Sequence, residues 1–322
     1  MRNQTSNSQS SRNVSAEPDF SKLGKSKRLA KQNKDYLELF SIVEKSRQGL
    51  IGEQARLKSK PGKESAKLLL RQLDLIFHIV SLPYLILITM EGYAKGYVKG
   101  QMSVFKEVFL GVKSNPEITE NEFEKVAKET MQRFFALDVS GQLSRPWLFA
   151  TTLYIWTAYE CLAGDLWAAS LNHATKLGHR VLNSLSGEDG EHTGLSRRHI
   201  DVGLAARHGF DLRKSLGSIL KPKFNFSDFD GIQTAYQQAF GTCGALSDQY
   251  RKTLKELEEV RHLIVHRGGV ADAKFVKVTK MKIKPNKTLS LQLPQVGLYM
   301  MSATMGCVSL LHVVDEWFIE NK

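Results

Sequence analysis

Apolar positions along most of this chain recur at helical rather than strand spacing. From residue 246 to 257 they fall at Leu246, Tyr250, Leu254 and Leu257, the stripe of a helix that buries one face in a core. The next position on that stripe is Arg261, only about 40° round from Leu257 at about 100° per residue, so a guanidinium stands where the pattern calls for leucine. His266 falls in the final turn, and Gly268-Gly269 stop the helix, because glycine readily takes the left-handed conformation of a helix terminus. One helix end therefore presents both an arginine from the seam and a histidine.

The same periodicity divides the rest of the chain. Residues 1–34 are rich in Ser, Asn, Gln and Lys without apolar rhythm and read as a flexible basic arm. A first helix is expected from Tyr36 to Gln54, ended by a basic loop at Lys58 to Gly62. Leu68 to Met90 is the most hydrophobic run, but Arg71, Asp74, His78 and Pro83 leave too few consecutive apolar residues to cross about 30 Å of hydrocarbon. It reads as a buried helix bent or broken at Pro83, and a membrane is not expected as a partner. Thr119 and Glu122 match a capping box ahead of a further helix.

Pro146 sits where a long helix would begin, from Trp147 to Leu177, with Glu160 and Asp165 set among Trp156, Leu162, Leu166 and Trp167. The tryptophans are expected in the core. A polar loop at Ser186 to Thr193, a basic and aromatic connector at Lys221 to Phe226, and a short helix from Gly231 to Phe240 follow. After the Arg261 helix the period changes. Val276, Val278, Met281 and Ile283, a turn at Lys284 to Lys287, then Leu289, Leu291 and Leu293 predict a small β-hairpin, before Pro294 opens a last helix to about Ile319. The fold class expected is all-α, a helical bundle with that hairpin near the carboxy terminus. Its parts are the arm 1–34, a helical amino-terminal region 35–140 and a helical domain 145–322.

Composition narrows the function. A 42% hydrophobic and 9% aromatic content over 322 residues is that of a folded protein. Cys161, Cys243 and Cys307 are odd in number and far apart, so neither a disulfide framework nor a paired-cysteine zinc site is expected, and a reducing cytoplasm is. The first fifteen residues lack the apolar stretch of a signal peptide, and export is not expected. Nothing resembles a glycine-rich phosphate loop; no cofactor and no metal are expected. The net charge of +12 is concentrated: residues 1–34 carry eight basic residues against two acidic, and residues 251–287 carry eleven against four. A positive field beside a candidate site favours a polyanionic partner, RNA or DNA ahead of acidic lipid. Solvated lysines that only aid solubility remain the alternative on composition alone.

An Arg-x4–6-His spacing is weak when counted bare. Sixteen arginines and nine histidines predict about 1.3 chance matches, and two occur, Arg71 with His78 and Arg261 with His266. Only the second ends a helix in a basic stretch. Its surroundings, EEVRHLIVHRGGVADAKF, resemble the signature of HEPN domains, small helical modules of RNA-cleaving toxins and antiviral effectors. The resemblance extends over roughly residues 145–322 through the acidic YECLAGDLW helix, the connector SILKPKFNFSDFDGIQTAYQQAFG, and a hairpin followed by a closing helix.

This resemblance implies a metal-independent endoribonuclease acting in toxicity or antiviral defence, with two motifs facing each other across a homodimer interface and an antitoxin or defence-system protein as a further partner. It implies His266 as acid/base, Arg261 as ligand of the phosphate and transition state, and His262 assisting. Glu160 and Asp165 would support Arg261. Arg267, Lys274, Lys277 and Lys280 are the candidate nucleic-acid-binding cations. The chemistry suits the residues: histidine titrates near working pH, and the planar guanidinium fork matches phosphate. On the residues alone, Arg261 can instead be a seam ion pair with Glu160 or Asp165, and His266 a helix cap. A non-catalytic module binding nucleic acid or a partner protein stays open as the second function, and a membrane-associated effector built on Leu68 to Met90 as a third.

Overall fold

A computed structural model describes residues 27–81, 144–185, 202–207, 209 and 211–321, and among these helices dominate without a strand. In chain order they are α1 (Lys27–Arg56), α2 (residues 60–81), α3 (Ser144–His173), α4 (Thr175–Leu185), α5 (Val202–Arg207), α6 (Leu212–Leu220), α7 (Phe229–Phe240), α8 (Asp248–Arg267), α9 (Ala273–Thr279) and α10 (Leu293–Glu320). A 3-10 turn, Lys221–Lys223, joins α6 to the connector before α7. The break at Pro83, the capping box at Thr119 and Glu122, the loop Ser186 to Thr193 and residues 1–26 of the arm lie outside the described residues.

Helix α3 carries apolar side chains all round its axis, as a helix enclosed by others must. It packs against α6, α8 and α10, and α1 lies along α10. Trp156 and Trp167 are fully buried, with the Phe224 ring of the connector tilted against Trp167 at 4.8 Å and that of Phe226 edge-on to it at 5.5 Å. Trp147 is partly buried and donates its indole N–H to the Ile79 carbonyl at 2.9 Å. The tryptophans are thus core residues. Among the described residues α10 alone is long and apolar enough to cross a membrane, and 61% of its most apolar window is buried inside the bundle.

Four expectations are corrected. Helix α1 begins at Lys27, so residues 27–34, expected in the arm, are helical; Leu, Ala, Lys and Gln there favour helix and extend the turn that Leu39 anchors in the core. The linker to α2 is only residues 57–59, and Pro61 and Gly62 already belong to the first turn of α2, where proline is tolerated. The long helix from Trp147 divides at Ala174 into α3 and α4. The β-hairpin over 275–293 does not form. Asp272 accepts the Phe275 N–H at 2.7 Å and caps α9, which absorbs Val276 and leaves Val278 51% exposed, so only the second half of the alternation, Leu289, Leu291 and Leu293, turns its apolar side chains into the core. Residues 286–289 pair instead with the turn after α8: Asn286 N–H with Ala271 O, Ala271 N–H with Lys287 O and Leu289 N–H with Gly269 O, at 2.7 to 2.9 Å.

The 57–59 linker is fixed by a buried carboxylate. Asp315 of α10 accepts the backbone N–H groups of Lys58 and Ser59 at 2.8 and 2.5 Å. A turn earlier His312 meets Glu53 at 2.9 Å, and this bond, with Arg56 nearby, holds the Glu53 carboxyl below its ordinary value. Replacing Asp315 with alanine orphans two backbone donors, of which that of Ser59 is buried, and is expected to cost about 1–3 kcal/mol. Urea unfolding should show that loss as a lower midpoint at unchanged slope; a wild-type midpoint would contradict the tether.

Candidate functional site

Helix α8 is defined at both ends by local chemistry. Ser247 accepts the Tyr250 N–H at its start, and Gly268 and Gly269, at φ 57° and 82°, end it in the left-handed region with Gly269 N–H bonded to Leu263 O at 3.1 Å. Gly269 has a second constraint, since a Cβ there would lie 2.5 Å from the Phe149 ring of α3. The end of α8 is thereby pressed onto the first turns of α3 and held from the other side by residues 286–289.

Leu254, Leu257, Val260, Leu263 and Ile264 form the buried seam of α8. Arg261 sits at its edge, 23% exposed, with Nη2 3.6 Å from Oε2 of Glu160 on α3. The same oxygen accepts the indole N–H of fully buried Trp156 at 2.9 Å, one helical turn earlier. The carboxylate is therefore fixed by a core residue and in turn fixes the guanidinium. At 3.6 Å the contact is an ion pair rather than a hydrogen bond, and part-exposed pairs contribute about 0–1 kcal/mol. Positioning is its larger effect. A guanidinium carries five N–H donors, so one carboxylate contact leaves it competent to grip a phosphate. Asp165 is not part of this arrangement: five residues further round α3, it pairs with Lys221 at 2.7 Å.

His262 and His266 lie one turn apart with ring centroids separated by 5.5 Å and planes inclined at 39°. His262 is partly buried and His266 exposed. Burial, followed by the Arg261 guanidinium, holds His262 below the ordinary histidine value, so at neutral pH its ring is an uncharged proton acceptor. Lys274, Lys277 and Lys280 are exposed on α9 and at its end. Arg267 is engaged by Asp272 at 3.0 Å, and the Phe275 N–H and that arginine keep the Asp272 carboxyl below its ordinary value. All four basic candidates are thus exposed, with Arg267 the most restrained of them.

No family model, curated protein or solved structure matches this chain.

The competing pair is arranged differently. Arg71 and His78 both lie exposed on α2, and no glycine follows His78 within the described part of that helix. Among the described residues no group of three or more His, Cys, Asp or Glu is arranged to hold a metal ion. A cleft of about 690 Å³ lies elsewhere, between α7 and the first half of α8, lined by Phe229, Asp230, Gln233, Arg251 and Lys255. It contains none of the candidate residues. Sequence reasoning missed two anchors of α8. Glu258 accepts the Phe229 N–H at 2.9 Å, and Glu256 accepts from Tyr299 and Gln295 at 2.8 and 2.7 Å. Both carboxylates look like solvated charges in the run ELEE; only the tertiary contacts single them out.

Proposed function

We propose that the carboxy-terminal end of α8 is the active site of a metal-independent endoribonuclease of the HEPN type, acting as a homodimer in toxicity or antiviral defence. The observation that carries the reading is the pairing of Arg261 with a carboxylate anchored by Trp156, on the helix that also carries two histidines one turn apart. In the proposed reaction an imidazole takes the proton from a ribose 2′-hydroxyl, the oxygen attacks the adjacent phosphorus, and the 5′-oxygen leaves with a proton returned to it. Arg261 supplies donors to the phosphate oxygens on which charge develops. Lys274, Lys277 and Lys280 hold the flanking backbone by charge. His266, exposed at the helix end, is the acid/base, and His262 assists. The three free cysteines support a reducing compartment such as the cytoplasm.

The second reading is a non-catalytic module that binds RNA or a protein. The Arg261–Glu160 contact favours it, because a structural ion pair requires the same geometry.

Arg261 and His266 are separated by about 140° around α8 at 100° per residue, so one protomer does not aim both at one phosphate. A twofold axis brings an arginine and a histidine together from two copies. Mixing inactive Arg261→Ala and His266→Ala proteins is therefore expected to restore cleavage, up to about a quarter of wild type when half the dimers are mixed and each has one intact site. Absence of recovery, with mixed dimers shown by mass photometry, would contradict a site composed from two chains.

A further inference from the structure

We propose that His262 and His266 chelate a late first-row transition-metal ion, Zn2+, Ni2+ or Cu2+, on the exposed face at the end of α8. Residues four apart on a helix stand one above the other, and these two rings have centroids 5.5 Å apart with planes inclined at 39°. With nitrogen–metal bonds of about 2.1 Å, an ion lies about 3.2 Å from each centroid, and the observed separation then subtends about 120°, close to tetrahedral. Seating the ion requires each ring to turn one nitrogen toward it, as imidazole binds through its in-plane lone pair. The backbone that carries the rings is already fixed: Gly269 abuts Phe149, the turn after it pairs with residues 286–289, and Glu160 holds Arg261. Little ordering is left to oppose binding.

The donor set selects the metal. Neutral imidazoles suit Zn2+, Ni2+ and Cu2+, whereas Mg2+ and Ca2+ require oxygen ligands. Arg261 and Lys274 act on His262 against a cation, while Glu259, one turn before it, acts in favour. With no third His, Cys, Asp or Glu arranged to join them among the described residues, water completes the coordination, and the affinity is on the order of micromolar. Binding stands on this geometry alone. Its consequence rests on the nuclease reading above: an ion shared by both imidazoles removes the acid/base groups and halts cleavage.

The test is Ni2+ titration calorimetry on the full chain, stripped with EDTA and desalted, beside His262→Gln and His266→Gln. Wild type is expected to bind one Ni2+ per chain at micromolar Kd and to melt at higher temperature with the metal. Each variant is expected to keep its circular dichroism spectrum, bind at least tenfold more weakly and lose the thermal shift. Undiminished affinity in both variants would overturn the site, as would the absence of a micromolar site in wild type. Zn2+ added to an RNA cleavage assay separates the two claims. Inhibition of wild type supports the consequence; binding to the pair without inhibition retains the metal site but removes the histidines from catalysis.

Discussion

Arg261→Lys is expected to lower RNA cleavage by about 10²- to 10³-fold, nearly as much as Arg261→Ala. Lysine keeps a positive charge that can still meet Glu160, so the contact between α3 and α8 survives and the protein remains folded. It loses the planar fork that addresses two phosphate oxygens at once, and a flexible ammonium does not reproduce that geometry. Initial rates on a fluorescent RNA, with thermal melts on the same preparations, separate catalysis from stability. If the lysine variant cleaves at the wild-type rate, charge alone matters at this position and the transition-state role falls.

The largest effect on stability is expected at Gly217→Ala. Where α6 crosses α3, a Cβ on Gly217 would stand 2.0 Å from the Ala168 carbonyl oxygen and 2.7 Å from its carbon. Neither atom is the end of a flexible side chain, so one helix must move bodily away from the other and open the packing around Leu216 and Leu220. A cost of about 3 kcal/mol or more follows, at the upper end of what overpacking causes. Gly49→Ala and Gly52→Ala in α1 are the controls: open space surrounds both positions, and alanine there should gain about 0.5–1 kcal/mol through helix propensity. Urea midpoints decide it. An unchanged midpoint for Gly217→Ala would mean that the two helices do not cross this closely.

The features legible in the sequence are those set by local physics. The seam of α8, its Gly268-Gly269 stop, the departure of Arg261 from an apolar stripe and the burial of the tryptophans follow from periodicity and from what each side chain costs to bury. The hairpin failed for a tertiary reason. Residues 286–289 found hydrogen-bond partners in the turn after α8, and Asp272 drew residues 273–279 into a helix. The choice between Glu160 and Asp165 was equally closed to sequence, since both are acids on one helix. It turns on register, which sets Glu160 beside Trp156 and α8 but Asp165 beside Lys221. The division at Ala174 leaves no local mark, because alanine is the best helix former.

The most direct measurement is cleavage of a fluorescent single-stranded RNA in EDTA by wild type and His266→Ala at protein concentrations where mass photometry shows dimers. The account predicts that wild type cleaves in the chelator and that His266→Ala, equally folded and still binding RNA, is slower by about 10²-fold or more. Equal rates in the two proteins, or RNA bound without cleavage by a folded dimeric wild type, would contradict it.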